Sequence, residues 1–203
     1  MQKQTTAKVQ NLETDIAFSP ESNQRRGTKD MSGRSTSGWG LEDAYKGPGH
    51  LARRLQQIAV AIFLDEFKHL DISPVQHIAL VAIRDNPGLE QQAIADLIAI
   101  DRSSAGRVLG FLEKRGLIKR ITPKDNKRTK QAFVTVAGAR MLSTSGRLIK
   151  KAEDRILKVL SDKEKQQFMA LLNKVVGINN TFSRAPLRLI QTSETDAPPT
   201  SKR

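Results

Sequence analysis

Ten cations fall within 29 residues of this chain: Arg102, Arg107, Lys114, Arg115, Lys119, Arg120, Lys124, Lys127, Arg128 and Lys130. Only Glu113 and Asp125 oppose them, so the segment carries +8 of a chain total of +13. Ammonium and guanidinium groups at this density hold phosphate, and their concentration in one stretch is the electrostatic footprint of a nucleic-acid partner. The plainer alternative, a solvated face of a basic domain, would spread the charge over all elements alike. Other chemistry has little to work with. There is no Cys, which excludes disulfides, thiol nucleophiles and Cys-ligated zinc. His50, His69 and His77 are too scattered for a metal or catalytic motif. The GRSTSGWG run from Gly33 to Gly40 has no strand before it and no GKS or GKT after it, so it reads as linker and not as a phosphate loop. Without a nucleophile–base pair, metal cluster or phosphate loop, neither an enzyme nor a cofactor is expected. With 7 Phe, 1 Trp and 1 Tyr the composition also argues against stacking platforms for single strands, and it is compatible with double-stranded DNA as the partner.

The elements that must position these cations are legible in the spacing. Leu51, Leu55, Ile58 and Ile62, with Ala59, Val60, Ala61, Phe63, Leu64 and Phe67 between and beyond them, predict a helix over 49–70 that is apolar round most of its circumference. One domain core cannot cover such a helix, so a second copy of the chain is expected to. Ser73-Pro74-Val75-Gln76 places a capping Ser, a Pro at the first helical position and a Gln three residues on, opening a helix that runs to Asp85 before Asn86-Pro87-Gly88. A short helix is expected over Leu89–Ile100, and Asp101 caps another, with Ala105, Val108, Leu109 and Leu112 as its apolar stripe and Gly116 as its end. The period then switches to that of strands in Leu117–Thr122 and Gln131–Val136, a hairpin with a polar tip between them. A helix follows from Ala137 to Leu160, and Ser161-Asp162-Lys163-Glu164 opens a last one ending at Val176 before Gly177. The fold class is therefore mainly α with a small β-hairpin wing, a winged helix-turn-helix domain within a helical dimer. The polar, aperiodic segments 1–48 and 177–203 read as disordered arms around a domain over 49–176, with dimerisation helices at 49–70 and 137–176 and a DNA-binding lobe at 73–136. No apolar run reaches the roughly 18–20 residues that span a bilayer, and the N-terminus carries no leader pattern, so a cytoplasmic protein is expected.

The block from His50 to Val176 resembles the MarR family of winged-helix transcriptional regulators. The residues that carry the likeness are DISPVQHIALVAI, LEQQAIADLIAIDRSSAGRVLGFLEKRGLIKR and the KDNKRTKQAFVTVAG wing. PVQ opening one helix and IDRSS opening another are similar to regulators of aromatic-acid catabolism. The resemblance implies a homodimer that binds a pseudo-palindromic operator and is released by a small molecule. It places Arg102, Ser103, Ser104 and Arg107 on the early turns of the recognition helix, with Arg107 bidentate to guanine, on a phosphate or simply solvated. Lys114 and Lys119 are expected on phosphates, and Lys124, Lys127, Arg128 and Lys130 in the wing. Gly106 and Gly110 allow close approach to DNA or close packing on the neighbouring helix. At the wing tip Asn126 stands where the family shows an acid two positions before an Arg. Arg128 is then the minor-groove candidate, Asp125 either holds it or makes the turn, and Lys127 is its substitute.

In family terms the effector sits where the first long helix, the Ser73-capped helix and the helix after the hairpin meet beside the DNA lobe. Arg54, with Arg53 second to it, supplies a cation for a carboxylate, and His69 and His77 a hydrogen bond or a ring. His69 shares the stripe of Leu51, Leu55 and Ile62, where a lone His is more often a satisfied core residue than a ligand. The expected function is a ligand-responsive repressor released by a small organic anion, such as an aromatic acid or its coenzyme A thioester. The alternative is a ligand-independent architectural DNA-binding or protein-interaction module.

Overall fold

The computed structural model describes residues 38–124 and 128–190. The chain divides at His50 into two compact units. In the first, helix α1 (Leu41–Lys46) is opened by Gly40, whose amide donates to Asp43 Oδ2 at 2.9 Å, and the rings of Tyr45 and His50 lie 5.1 Å apart. Part of the expected N-terminal arm is therefore helical, and residues 1–37 lie outside the described residues. Helix α2 (Pro48–Glu66) ends four residues short of the expected 70. The second unit continues with α3 (Pro74–Asp85), β1 (Leu89–Glu90), α4 (Gln91–Leu97), α5 (Arg102–Lys114), β2 (Ile118–Ile121), β3 (Gln131–Val134), α6 (Val136–Ile156) and α7 (Asp162–Ile178).

The caps read from the sequence are formed. Ser73 Oγ accepts the Gln76 amide at 3.3 Å while Gln76 Oε1 accepts the Ser73 amide at 2.9 Å, so two amides at the mouth of α3 find partners that the helix itself cannot supply. Phe67, Leu80, Ile83, Ile94, Leu109 and Leu112 are fully buried and draw α3, α4 and α5 round one core. The hairpin forms with Ile118 opposite Val134 and Ile121 opposite Gln131.

Four expectations fail locally. Leu89 and Glu90 are strand, not helix: they pair with Ala132 and Gln131 and make β3 the centre of a three-stranded sheet. The reason is that β3 has two edges and the hairpin fills one. Gly88, at φ +88°, turns the chain so that its amide reaches Ala132 O at 2.9 Å. Helix α6 stops at Ile156, with Leu157 as its cap, short of Leu160. Helix α7 runs through Gly177 to Ile178, because the chain does not enter the left-handed region there and Asn179 closes the helix by donating from Nδ2 to Val175 O at 2.8 Å. Beyond it, where a disordered tail was expected, residues 180–182 form a 3₁₀ turn and the chain keeps specific hydrogen bonds as far as Arg188.

The start of α6 is glycine-dependent. Thr135 caps it, accepting the Gly138 amide at 3.2 Å, and a Cβ on Gly138 would stand 2.2 Å from Leu117 O. At the other end of α6, Lys151 pairs with Glu66 at 2.8 Å and Arg155 bridges Asp65 at 2.6 Å and Glu66, clamping α6 to the end of α2. Leu51, Ile58 and Leu64 of α2 remain exposed, and α7 buries none of its residues although it carries Met169, Leu172, Val175 and Val176. Among the described residues no helix is long and apolar enough to cross a membrane.

Candidate nucleic-acid interface

Helix α5 buries Ala105, Val108, Leu109 and Leu112 and turns its other side outward. At 100° per residue, Ser103, Arg107, Gly110 and Lys114 fall in one stripe on that outer side. Asp101, the cap, accepts the Ser104 amide at 2.9 Å and the Ser104 hydroxyl at 2.7 Å. Those bonds hold its carboxyl below the usual carboxylate range, with the Arg107 charge adding to them. Arg107 in turn donates from Nη1 to Ser103 Oγ at 3.1 Å and from Nη2 to Ser104 Oγ at 2.8 Å. The exposed guanidinium is thus tethered at two points over the first turn of the helix instead of sweeping through solvent.

The two glycines divide between the two roles open to them. A Cβ on Gly106 would stand 3.1 Å from Gln91 Nε2, which itself donates to Arg102 O at 3.0 Å, so Gly106 serves the packing of α4 on α5. Nothing lies within 4 Å of a Cβ on Gly110. Its place on the outer stripe leaves a bare backbone beside Arg107.

The cations of the segment do not form one surface. Arg115 donates from Nη1 to Leu70 O at 3.1 Å and to Asp71 O, fastening the turn between α2 and α3. Lys119 and Arg120 point to opposite faces of β2, as consecutive strand residues must. Lys119 Nζ lies 5.9 Å from the centre of the Phe133 ring, whereas Arg120 turns to α5 and pairs with Glu113 at 2.5 Å. That pairing, with the Arg120 amino groups donating to the carboxylate, holds the Glu113 carboxyl low. Lys114, Lys124 and Lys130 are exposed, while Asp125, Asn126 and Lys127 lie outside the described residues.

Sequence reasoning missed a crevice of about 340 Å³ between the start of α5 and the wing. Arg102, Arg120, Arg128 and Lys130 line it with Glu90, Gln91, Gln92 and Thr129. Thr129 Oγ1 is buried there and has no hydrogen-bond partner among the described residues. Arg120 was visible only as one cation among ten, and Thr129 carried no signal at all, since the crevice exists only once β1 brings Glu90 and Gln91 beside β3.

The four expected effector residues are not brought together. His69 lies past the end of α2, on an exposed turn, so its helical stripe with Leu51, Leu55 and Ile62 does not exist; the helix stops at Glu66. Arg54 is exposed, as is Arg53, which donates to Gln57 Oε1 at 3.2 Å. His77 alone is buried, at the meeting of α2, α3 and α6. Its Nε2 lies 2.9 Å from Ser145 Oγ, and its ring meets the edges of Phe67 and Phe63 at 5.3 and 6.0 Å. Ser145 spends its proton on Leu142 O at 3.0 Å, which makes Nε2 of His77 the donor. Burial, with the nearby Arg84 charge, pushes the His77 pKa down. Beside this pair an apolar cavity of about 360 Å³ opens between α2 and α6, walled by Ala59, Val60, Phe63, Pro74, Ile149, Ala152 and Ile156, with Gln56 and Glu153 also lining it. A second cavity, of about 400 Å³, lies between the end of α2 and α3 against Lys68, Gln76 and Phe111.

Known proteins share this architecture. A family model described as "MarR family" matches residues 72–130. An uncharacterised helix-turn-helix-type transcriptional regulator, YybA of Bacillus subtilis (strain 168), is 32% identical over 135 residues, which cover 66% of this chain and 87% of that protein. The regulator PcaV of Streptomyces coelicolor, solved in complex with its natural ligand, is 27% identical with a TM-score of 0.60, covering 68% of this chain and 98% of that one. A MarR variant from E. coli complexed with operator DNA, 22% identical with a TM-score of 0.62, shares the fold over 68% of this chain and 99% of that one.

Proposed function

The chain belongs to the MarR family of winged-helix transcriptional regulators, and from that premise we propose that it is a dimeric, sequence-specific repressor released from its operator by a small organic anion. The observation that carries the reading is the tethered Arg107 on the outer stripe of α5, beside a crevice lined by four cations. A side chain held over the first turn of a major-groove helix meets a base edge with less ordering cost than a free one. The exposed apolar residues of α2 and α7 support a second copy as their cover, and a two-fold dimer presents two α5 helices to half-sites about 10 base pairs apart. Selection of bound sequences from a random library tests this. A pseudo-palindrome is the expected product, and recovery of sequences without two-fold symmetry would refute it.

The seat proposed for the effector is the cavity between α2 and α6, whose apolar walls suit an aromatic ring and whose Phe63 also touches His77. Two independent expectations of release follow from the walls: an aromatic acid or its thioester loosens the operator complex, and Ala59→Phe, by filling the space, abolishes that response. A second reading is favoured by the buried Thr129 hydroxyl in the basic crevice, which has no hydrogen-bond partner among the described residues and where an anion would compete with DNA directly. Under that reading Thr129→Val, and not Ala59→Phe, removes the response. Tight DNA binding indifferent to every acid would instead favour an architectural role.

A further inference from the structure

An α-helix leaves its last four carbonyls without partners inside the helix. In α4 these belong to Ile94, Ala95, Asp96 and Leu97. The turn that follows satisfies the first two: the Ile98 amide donates to Ile94 O at 3.1 Å and, after the chain reverses at Ala99 with φ +53°, the Ile100 amide donates to Ala95 O at 3.1 Å. Asp96 O is served from elsewhere. It accepts the backbone amide of Arg188 at 2.9 Å, from the segment that follows α7.

That segment is built to hold this position. Asn180, in the 3₁₀ turn directly after α7, grips Leu187 from both sides of its peptide, donating from Nδ2 to Leu187 O at 2.9 Å and accepting the Leu187 amide on Oδ1 at 2.8 Å. Ser183 Oγ makes a smaller version of the same grip on Ala185, at 3.0 Å to its carbonyl and 3.2 Å to its amide. Pro186, half-buried with Ala185, restricts the backbone between the two grips. The turn therefore delivers the Arg188 amide to the end of α4 while its own geometry is fixed to the end of α7.

We propose that residues 179–190 are an intramolecular strap whose docking surface is the C-terminal end of α4, so that α7 and the helix-turn-helix are mechanically coupled within one protomer. The strap lies outside residues 72–130 that match the family model, and it ties the end of α7 to the end of α4, the helix that packs on α5. The coupling to DNA rests on the regulator reading above, whereas the docking itself does not.

Hydrogen exchange on the full chain, read together with operator affinity, tests both parts. In the wild type the Leu187 and Arg188 amides should be protected relative to free peptide. Arg188→Pro removes the donor and should speed exchange of the Ile98 and Ile100 amides and weaken operator binding about fivefold, the factor carried by loss of one intramolecular hydrogen bond. Asn180→Ala, which leaves the strap backbone chemically intact, should expose the same amides. Arg188→Ala keeps the N–H and should leave the exchange pattern unchanged. Unprotected Leu187 and Arg188 amides in the wild type, or Arg188→Pro and Asn180→Ala both leaving α4 exchange as it was, would overturn the strap. Altered exchange with unaltered operator affinity overturns the coupling but not the docking. A wild type with protected amides and no DNA binding overturns the regulator reading and leaves the docking in place.

Discussion

Arg107 is held by Ser103 and Ser104, and Ser104 by Asp101, so one capping carboxylate organises both the start of α5 and its exposed guanidinium. The expected outcome of Arg107→Ala is a loss of about 1–3 kcal/mol on the operator together with relaxed choice at one base position, measured by titrating operator and random duplexes side by side. Equal losses on both duplexes would place Arg107 on a phosphate. His77 sets a different single-residue expectation. Its folded pKa is depressed by burial, so the unfolded chain binds the proton first and stability is full above the unfolded value of about 6.5. As pH falls below that value toward the depressed folded pKa, this contribution is lost. His77→Gln should therefore flatten the fall in urea midpoint between about pH 7 and pH 5, and an unchanged slope would show that other groups cause it.

At the scale of elements, the junction of sheet and α6 leaves no room for a side chain at Gly138. A Cβ on Gly138 meets the Leu117 carbonyl at 2.2 Å, and that carbonyl, held by the Thr135 amide at 3.0 Å, cannot swing aside as a flexible side chain would. Gly138→Ala should lower stability by about 1–3 kcal/mol, seen as an earlier denaturation midpoint at unchanged slope. By contrast, Gly110→Ala meets open space and should stabilise the free protein slightly through helix propensity while weakening DNA binding, if the bare stripe beside Arg107 faces the duplex. The clamp between α2 and α6 has its own pH signature. Arg155 and Lys151 hold the Asp65 and Glu66 carboxyls below their usual range, so the clamp contributes above that range and is lost as pH falls through the lowered values.

For the whole molecule, the exposed apolar residues of α2 and α7 decide the expected assembly state. Sedimentation at micromolar concentration should give a dimer, and a monomer there would leave Leu51, Ile58, Val175 and Val176 in water without explanation. The dimer should also show steeply salt-dependent DNA binding, because each phosphate neutralised releases counterions. Lys130→Ala, at the crevice, is expected to lower the slope of log affinity against log salt by about 1 per contact, while Arg115→Ala, whose guanidinium is occupied with the turn before α3, should leave that slope alone and cost stability instead.

What the sequence determined by itself was the part written in short range. The caps at Ser73, Asp101 and Ser161 are contacts three residues apart, and the hairpin and the buried stripe of α5 follow from periods of two and 3.6 residues. Fold class and the location of the charge were legible for that reason. Tertiary structure alone decided which cation does what. Arg115 found carbonyls 44 and 45 positions earlier in the chain, Arg120 turned from β2 to Glu113 at the end of α5, and Arg107 stayed local and exposed. The same holds for the pairing of Leu89 with Ala132, the loss of His69 from its helix, the crevice around Thr129 and the Arg188 amide on Asp96 O. Each depends on an unpaired group of one element meeting a complementary group of another, and no spacing along a chain records where two distant elements will touch.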